Sequence, residues 1–287
     1  MTLVVSRLLS SSSSFSGAGL HTGAVSHVSL KPAEPGSGIV FYLPGGVVLP
    51  AQADRVVDTA RCTVLGDGTA RLSTVEHLLS ACAGLGVRDL AVEIDGPEVP
   101  IGDGSAACWV EALRAGGLTA DTAPATRLTL THPVIVTGKD GAFVAAYPSD
   151  RLRITVAIHF PHPLIGTQIA RYTPDDADGC DYASEIAGCR TFGFIEEVEA
   201  LLAAGLARGG TLDNAIVIYP DRFSTPLRFE NELARHKLLD VVGDLALGGS
   251  ALLPKADIIA VKPSHRLNTQ LALRLREALG DELPNED

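Results

Sequence analysis

The order of predicted elements points to an α+β protein rather than a doubly wound parallel sheet. In each half of the chain, short strand-like segments come first and helical segments follow, the pattern of stacked α+β layers. No Gly-x-Gly-x-x-Gly or Walker-type loop opens a helix, so the nucleotide-cofactor folds lack support. Apolar residues make up 46% of 287, which suits one large core or two modest ones and excludes a disordered chain.

The elements follow in order. Thr2–Val5 reads as a strand running into a Ser-rich turn; Arg7 interrupts the apolar stretch and no basic leader precedes it, which argues against a signal peptide. Val25–Leu30 alternates as a strand and Gly38–Tyr42 is another, with Pro32, Pro35 and Gly36 punctuating them. Ser73 or Thr74 is placed to cap a helix running to about Ala83, with Glu76 in its first turn. Leu90–Ile94 alternates as a strand, and Ser105–Ala115 reads as a helix. Gly117–Thr126 has no apolar periodicity and is the candidate linker. In the second half, strands are predicted at Arg127–Val136, Ala142–Ala146, Leu152–Phe160, Ala215–Tyr219 and Ile258–Val261. Helices are predicted at Ile195–Ala204, Glu232–Leu247 and Asn268–Leu279, and Asp281–Asp287 reads as an acidic tail.

Composition narrows the function. With 23 basic and 34 acidic residues the net charge is −11, which argues against nucleic acid as a partner. The five cysteines (Cys62, Cys82, Cys108, Cys180 and Cys189) are odd in number and contain no Cys-x-x-Cys. They read as reduced thiols of a cytoplasmic protein. No apolar stretch reaches the length of a transmembrane span.

The segment Arg235–Asp244 carries the strongest chemical signal. On a helix turning about 100° per residue, His236, Asp240 and Asp244 share one face within roughly 80°. A histidine and a carboxylate one turn apart can hold one metal ion. The apolar neighbours Leu238, Leu239, Val242, Leu245 and Leu247 place much of this helix in the core, where carboxylates need a cation or a proton between them. A second half-site lies at Glu76-His77. Two histidines and a carboxylate with a spare glutamate suggest metal-assisted hydrolysis. The residues alone leave plainer readings open: a surface His-x-x-x-Asp pair, and a helix-N-terminal Glu beside an ordinary His. The turn Gly19–Gly23, the Asp103-Gly104 turn, Thr191 beside Phe192 and Phe194, and the loop histidine His265 are equally open.

The order and identity of these segments resemble the zinc-dependent UDP-3-O-acyl-N-acetylglucosamine deacetylases of lipid A biosynthesis. The matching segments are GLHTG at 19–23, STVEHLLSACAGLG at 73–86, EVPIGDGSA at 98–106, RTFGF at 190–194, GGTLDNAIV at 209–217, RHKLLDVVGDL at 235–245 and HRLN at 265–268. The resemblance implies a two-domain β-α-α-β sandwich, each domain a mixed sheet, with the helices packed between the two sheets. The domains would be 1–120, carrying Glu76 and His77, and 127–280, carrying His236, Asp240, His265 and an acyl-passage insert at 190–217. It implies Zn2+ on His77, His236 and Asp240, Glu76 as general base, Thr191 at the oxyanion, and His265 as acid or electrostatic partner oriented by Asp244. Lys237 and Cys62 would meet substrate, Lys237 turned away from the core at a cleft edge. Phe192 and Phe194, with Leu201, Leu202 and Leu206, would line the fatty-acyl passage. The substrate would be a UDP-linked acylated glucosamine and the enzyme a monomer. The strand near Ala142-Phe143 lacks the lysine expected for the substrate diphosphate, a place Lys139 would take.

Overall fold

The computed structural model describes residues 6–121, 127–205, 207–249 and 252–280. The expected strand Thr2–Val5, the second half of the linker (122–126) and the acidic tail therefore lie outside the described residues.

The first half runs β1 (Arg7–Leu9), β2 (Ser13–Ala18), β3 (Val25–Lys31), β4 (Ile39–Leu43), β5 (Val47–Pro50), β6 (Val56–Asp58), β7 (Val64–Gly66), β8 (Arg71–Leu72), α1 (Glu76–Leu85), β9 (Leu90–Ile94), α2 (Ala107–Ala115) and β10 (Leu118–Ala120). The second runs β11 (Val134–Thr137), β12 (Phe143–Pro148), β13 (Arg153–Phe160), β14 (Gly166–Tyr172), α3 (Tyr182–Glu185), β15 (Phe192–Phe194), α4 (Ile195–Ala203), β16 (Ile216–Ile218), α5 (Glu232–Leu245), β17 (Ala256–Val261) and α6 (His265–Gly280).

Alternation builds the sheets. In β3, Ser26, Val28 and Leu30 are buried between exposed or half-exposed neighbours, and in β13 Ile154, Val156 and Ile158 do the same. Two five-stranded mixed sheets result, ordered β2-β3-β9-β4-β5 and β11-β12-β17-β13-β14. They follow one plan. In each, the last strand, reached after a helix, enters the centre antiparallel to the second strand and parallel to the third.

The helices fill the space between the sheets. α5 packs on β13 and β14, α6 on β11 and β12, α2 on β2, and α1 meets α5. A helix covered on all sides must lack a solvated face, and only Arg235 and Lys237 of the 14 residues of α5 are not buried. One apolar core runs from Leu9 to Leu279 through both halves. The α1–α5 crossing is close: a Cβ on Gly243 would overlap the carbonyl oxygen of Glu76. The Ser80 hydroxyl donates to the Leu239 carbonyl oxygen at 2.7 Å across the same crossing.

Several expectations change. The Ser-rich segment is largely strand, not turn: β2 pairs antiparallel with β3, its Ser14 and Ser16 face solvent, and Phe15 stacks edge-on against Trp109 at 5.1 Å. A neighbouring strand overrides weak local propensity there. Neither Ser73 nor Thr74 caps α1. Val75 holds the cap position without a side-chain bond, and Thr74, at φ 62°, gives its hydroxyl to Glu98 at 2.9 Å. The start of the linker is β10, paired with β1. The strand expected over Arg127–Val136 begins only at Val134, after Pro133. The last helix starts at His265 rather than Asn268, because Ser264 receives the amide of Asn268 at 2.9 Å. Strands β5 to β8, β14 and β15 have no counterpart in the sequence reading.

Candidate active site

The α1–α5 crossing brings the first turn of α1 against the inner face of α5. His77, His236 and Asp240 are all buried there, each offering a ligand atom within 4.8 Å of the others. Asp240 Oδ1 lies 3.4 Å from His236 Nε2 and 3.8 Å from His77 Nε2, and the imidazoles meet edge-on at 5.3 Å. His236 Nδ1 lies 3.1 Å from the Cys189 carbonyl oxygen, to which it donates, leaving Nε2 as an acceptor facing Asp240.

These residues fit a metal ion. Asp240 Oδ1 is buried without a hydrogen-bond partner among the described residues, a state costly for a carboxylate oxygen unless a cation faces it. Burial, with His236 beside it, pushes the His77 imidazole down to about 3. Burial lowers His236 as well, against the pull of Asp240. Neutral imidazoles are the form that binds metal. Burial disfavours the Asp240 charge, but His236 and Lys237 outweigh it and hold its pKa below the usual carboxylate range.

Lys237 is half-buried at the rim, but it does not turn away from the site. Its Nζ donates to Asp240 Oδ2 at 2.9 Å and lies 5.5 Å from the centre of the Phe192 ring. The buried, negative Asp240 draws the ammonium inward. Burial opposes the lysine charge, yet Asp240 raises its pKa.

Next to the three ligand candidates stands a second constellation. His265 Nδ1 lies 2.9 Å from Asp244 Oδ2, and its Nε2 lies 3.9 Å from Glu76 Oε1. Asp244 Oδ2 also accepts from Asn268 Nδ2 at 2.9 Å, and Asp244 Oδ1 accepts from the Thr63 hydroxyl at 2.5 Å. The Thr63 amide donates to Glu76 Oε2 at 3.0 Å. Burial works against an imidazolium at His265, but Asp244 outweighs it and raises the pKa to about 9. Glu76 is held above the usual carboxylate range, burial being the main cause and His265 opposing it.

Thr191 begins the approach to β15. Its amide donates to the Gly104 carbonyl oxygen at 2.8 Å, and the Phe192 ring that follows meets His236 at 6.1 Å. Phe160 sits 5.9 Å from Phe192 and 5.3 Å from Phe194, and His162 sits 5.8 Å from Phe194. An aromatic wall thus leads from the ligand candidates along β13 and β15. Phe160 and His162, which belong to it, carried no signal in the sequence. Leu206 and the side chains of Leu201 and Leu202 lie outside the description.

Cys62 is buried, its thiol pushed up to about 12 by burial and then by Glu76. It lines a cavity of about 380 Å³ with His21, Arg71 and Arg208 among others. The turn Gly19–Gly23 proves to be more than a hairpin, because it wraps the fully buried Glu98. That carboxylate accepts the His21 amide at 2.9 Å and the Thr22 amide and hydroxyl at 2.7 Å each. Arg190 is clamped to buried Glu232 through Nε at 2.8 Å and Nη2 at 3.0 Å, joining the start of α5 to the segment of Cys189 and Thr191. Lys139 is exposed on the β11–β12 turn, where Lys262 Nζ reaches the Asp140 carbonyl oxygen at 3.2 Å.

Known proteins match this chain over most of its length. The family model described as LpxC, UDP-3-O-acyl N-acetylglycosamine deacetylase, matches residues 6–277. A protein of Nostoc sp. named UDP-3-O-acyl-N-acetylglucosamine deacetylase is 43% identical over 265 residues, covering 90% of this chain and 94% of its own. One of the same name from Leptospira biflexa is 40% identical over 288 residues, covering 98% and 93%. Another from Myxococcus xanthus is 43% identical over 274 residues, covering 94% and 85%.

Proposed function

We propose a division of labour among the site residues on the premise that the chain belongs to the UDP-3-O-acyl N-acetylglycosamine deacetylase family. It is a deacetylase of UDP-3-O-acyl-N-acetylglucosamine, an amide hydrolase of lipid A biosynthesis. The observation that carries the proposal is the placement of the Glu76–His265 pair, 3.9 Å apart, beside the buried His77–His236–Asp240 group.

His77, His236 and Asp240 would hold a zinc ion, which supplies Lewis acidity toward the amide carbonyl and the attacking water. Glu76 takes the proton that water loses as its oxygen bonds to the carbonyl carbon. Burial makes this carboxylate unusually basic, which suits a base working near neutrality. The Thr191 hydroxyl, just before β15 on a residue whose amide is held by the Gly104 carbonyl oxygen, donates to the oxygen that gains charge. As the C–N bond breaks, the nitrogen takes a proton, either the one Glu76 has received or that of His265, and leaves as the free amine, with acetate as the other product. Asp244 holds His265 as an imidazolium that faces that nitrogen through Nε2, either giving it the proton as acid or keeping the proton as electrostatic partner. Lys237 reaches from the cleft rim to the substrate, and Cys62 borders the cavity beside it.

Phe192 and Phe194, with Phe160, form the wall for the fatty acyl chain. Lys139 and its neighbour Lys262 put two ammonium groups near the turn where the diphosphate would lie. No helix among the described residues is long and apolar enough to cross a membrane, and the reading is completed by a cytoplasmic monomer of two lobes, 1–120 and 127–280.

The test is metal content together with acetate release from the acylated UDP-sugar. Asp240→Ala is expected to lose metal by more than the roughly 100-fold in affinity that an outer partner of a ligand contributes, and to lose turnover with it. A variant that keeps both would sink the ligand assignment.

A further inference from the structure

Thr63 belongs to none of the motifs that mark this chain, yet it touches both carboxylates that face His265. It is fully buried and immediately precedes β7 of the small β6–β8 sheet in the first half. Its carbonyl oxygen receives the Val75 amide at 3.4 Å, tying it to the start of α1.

The atoms are divided in an ordered way. Each carboxylate gives one oxygen to Thr63 and turns the other to His265. Glu76 Oε2 takes the Thr63 amide at 3.0 Å, and Glu76 Oε1 faces His265 Nε2 at 3.9 Å. Asp244 Oδ1 takes the Thr63 hydroxyl at 2.5 Å, and Asp244 Oδ2 meets His265 Nδ1 at 2.9 Å. A closed ring therefore runs Thr63–Glu76–His265–Asp244 and back to Thr63. Two of its members come from the first half of the chain and two from the second.

We infer that Thr63 is a positioning residue for the deacetylation: by holding one oxygen of each carboxylate it sets the base and the acid partner at a fixed separation. A carboxylate held at one oxygen can still tilt about that contact, whereas one held at both oxygens has its plane fixed. Asp244 has two other donors, His265 and Asn268, but both bind Oδ2. The Thr63 hydroxyl alone holds Oδ1 among the described residues, at a length typical of a charge-assisted O–H···O bond. A rotated Asp244 would carry the imidazole with it and open the 3.9 Å gap to Glu76, although neither reacting group had been altered.

This inference rests on the reading of Glu76 and His265 as base and acid partner, and the experiment separates the two. Thr63→Val keeps the volume and the amide but removes the hydroxyl; Thr63→Ser keeps the hydroxyl. Steady-state kinetics with the acylated UDP-sugar are measured beside metal content and the melting temperature. Thr63→Val is expected to lose about 10- to 100-fold in kcat, the range for removing one hydrogen bond to a buried charge, with KM and metal content unchanged. Thr63→Ser is expected to recover most of that loss. Wild-type kcat in Thr63→Val, or an equal loss in Thr63→Ser, overturns the inference. If Thr63→Val does not fold, Thr63→Ala is compared with Thr63→Ser on the same terms, and parity between them overturns it. Glu76→Gln and His265→Gln run alongside: full turnover in either defeats the underlying site reading rather than the role of Thr63.

Discussion

The two halves of the molecule share one strand plan and put it to different chemical use. In the first half the helix before the central strand is α1, and it delivers Glu76 and His77 from a single turn. In the second half the equivalent helix is α5, and it delivers His236, Lys237, Asp240 and Asp244 over two turns. Each half also inserts a small sheet before that helix. The first insertion brings Cys62 and Thr63; the second brings Cys189, Thr191 and Phe192. Two of the three ligand candidates sit on α5, while the proposed base sits on α1, so neither half holds the whole candidate site. The comparison teaches that the chemistry belongs to the crossing of the helices, and that the repeated topology serves to bring one buried helix against the other.

The largest effect should come from forcing the halves apart. Gly243→Ala adds a methyl where the Glu76 carbonyl oxygen already lies, and such overpacking costs about 1–3 kcal/mol or more. Denaturant unfolding and chelator competition should both register it, since His77 would withdraw from His236 and Asp240. An Ala variant with unchanged stability and metal affinity would show that the crossing is looser than described.

The next test sharpens the contrast in charge handling. His265 stands first in α6, where the helix dipole disfavours a cation, and Asp244 nevertheless raises its pKa to about 9. Because the folded value lies above the unfolded value of about 6.5, the stabilisation from this pair is complete below about pH 6.5 and disappears as pH rises through about 9. Asp244→Asn is expected to move the alkaline limb of the pH–rate profile toward the ordinary imidazole range. An alkaline limb that stays in place would remove His265 from that ionisation.

The smallest effect concerns the aromatic wall, which only the second half supplies. Phe194→Ala is expected to raise KM for the acylated substrate by roughly 5- to 30-fold, about 1–2 kcal/mol of lost apolar contact. The same change should leave KM for a substrate without the acyl chain unaltered. Equal changes with both substrates would make Phe194 part of the core instead.

Much of the fold was legible because it rests on local periods. The alternation of β3, β9 and β13 and the apolar run of α5 appear in the chain as they appear in the structure. What failed locally did so because a distant partner decided it. β2 is strand in a serine-rich segment because β3 lies beside it. Thr74 leaves its capping role because Glu98 takes its hydroxyl. Lys237 points inward because a buried carboxylate waits there. Among the site residues, Glu76, His77, His236, Asp240, Asp244, Thr191 and His265 were marked by motif or spacing, but Thr63 and Phe160 were not. Their value lies in which atoms they meet, and no local pattern encodes that.

By itself the sequence determined that His236 and Asp240 share a helix face and that Glu76 adjoins His77, since a four-residue step and a peptide bond set those distances whatever the rest of the chain does. Only the tertiary structure decided that the two pairs meet. That depends on a glycine that lets α1 approach α5 backbone to backbone, and on two sheets that exclude water around both helices. In that dry space a carboxylate oxygen without a hydrogen-bond partner favours a cation facing it, and Asp244 raises the pKa of the histidine beside it.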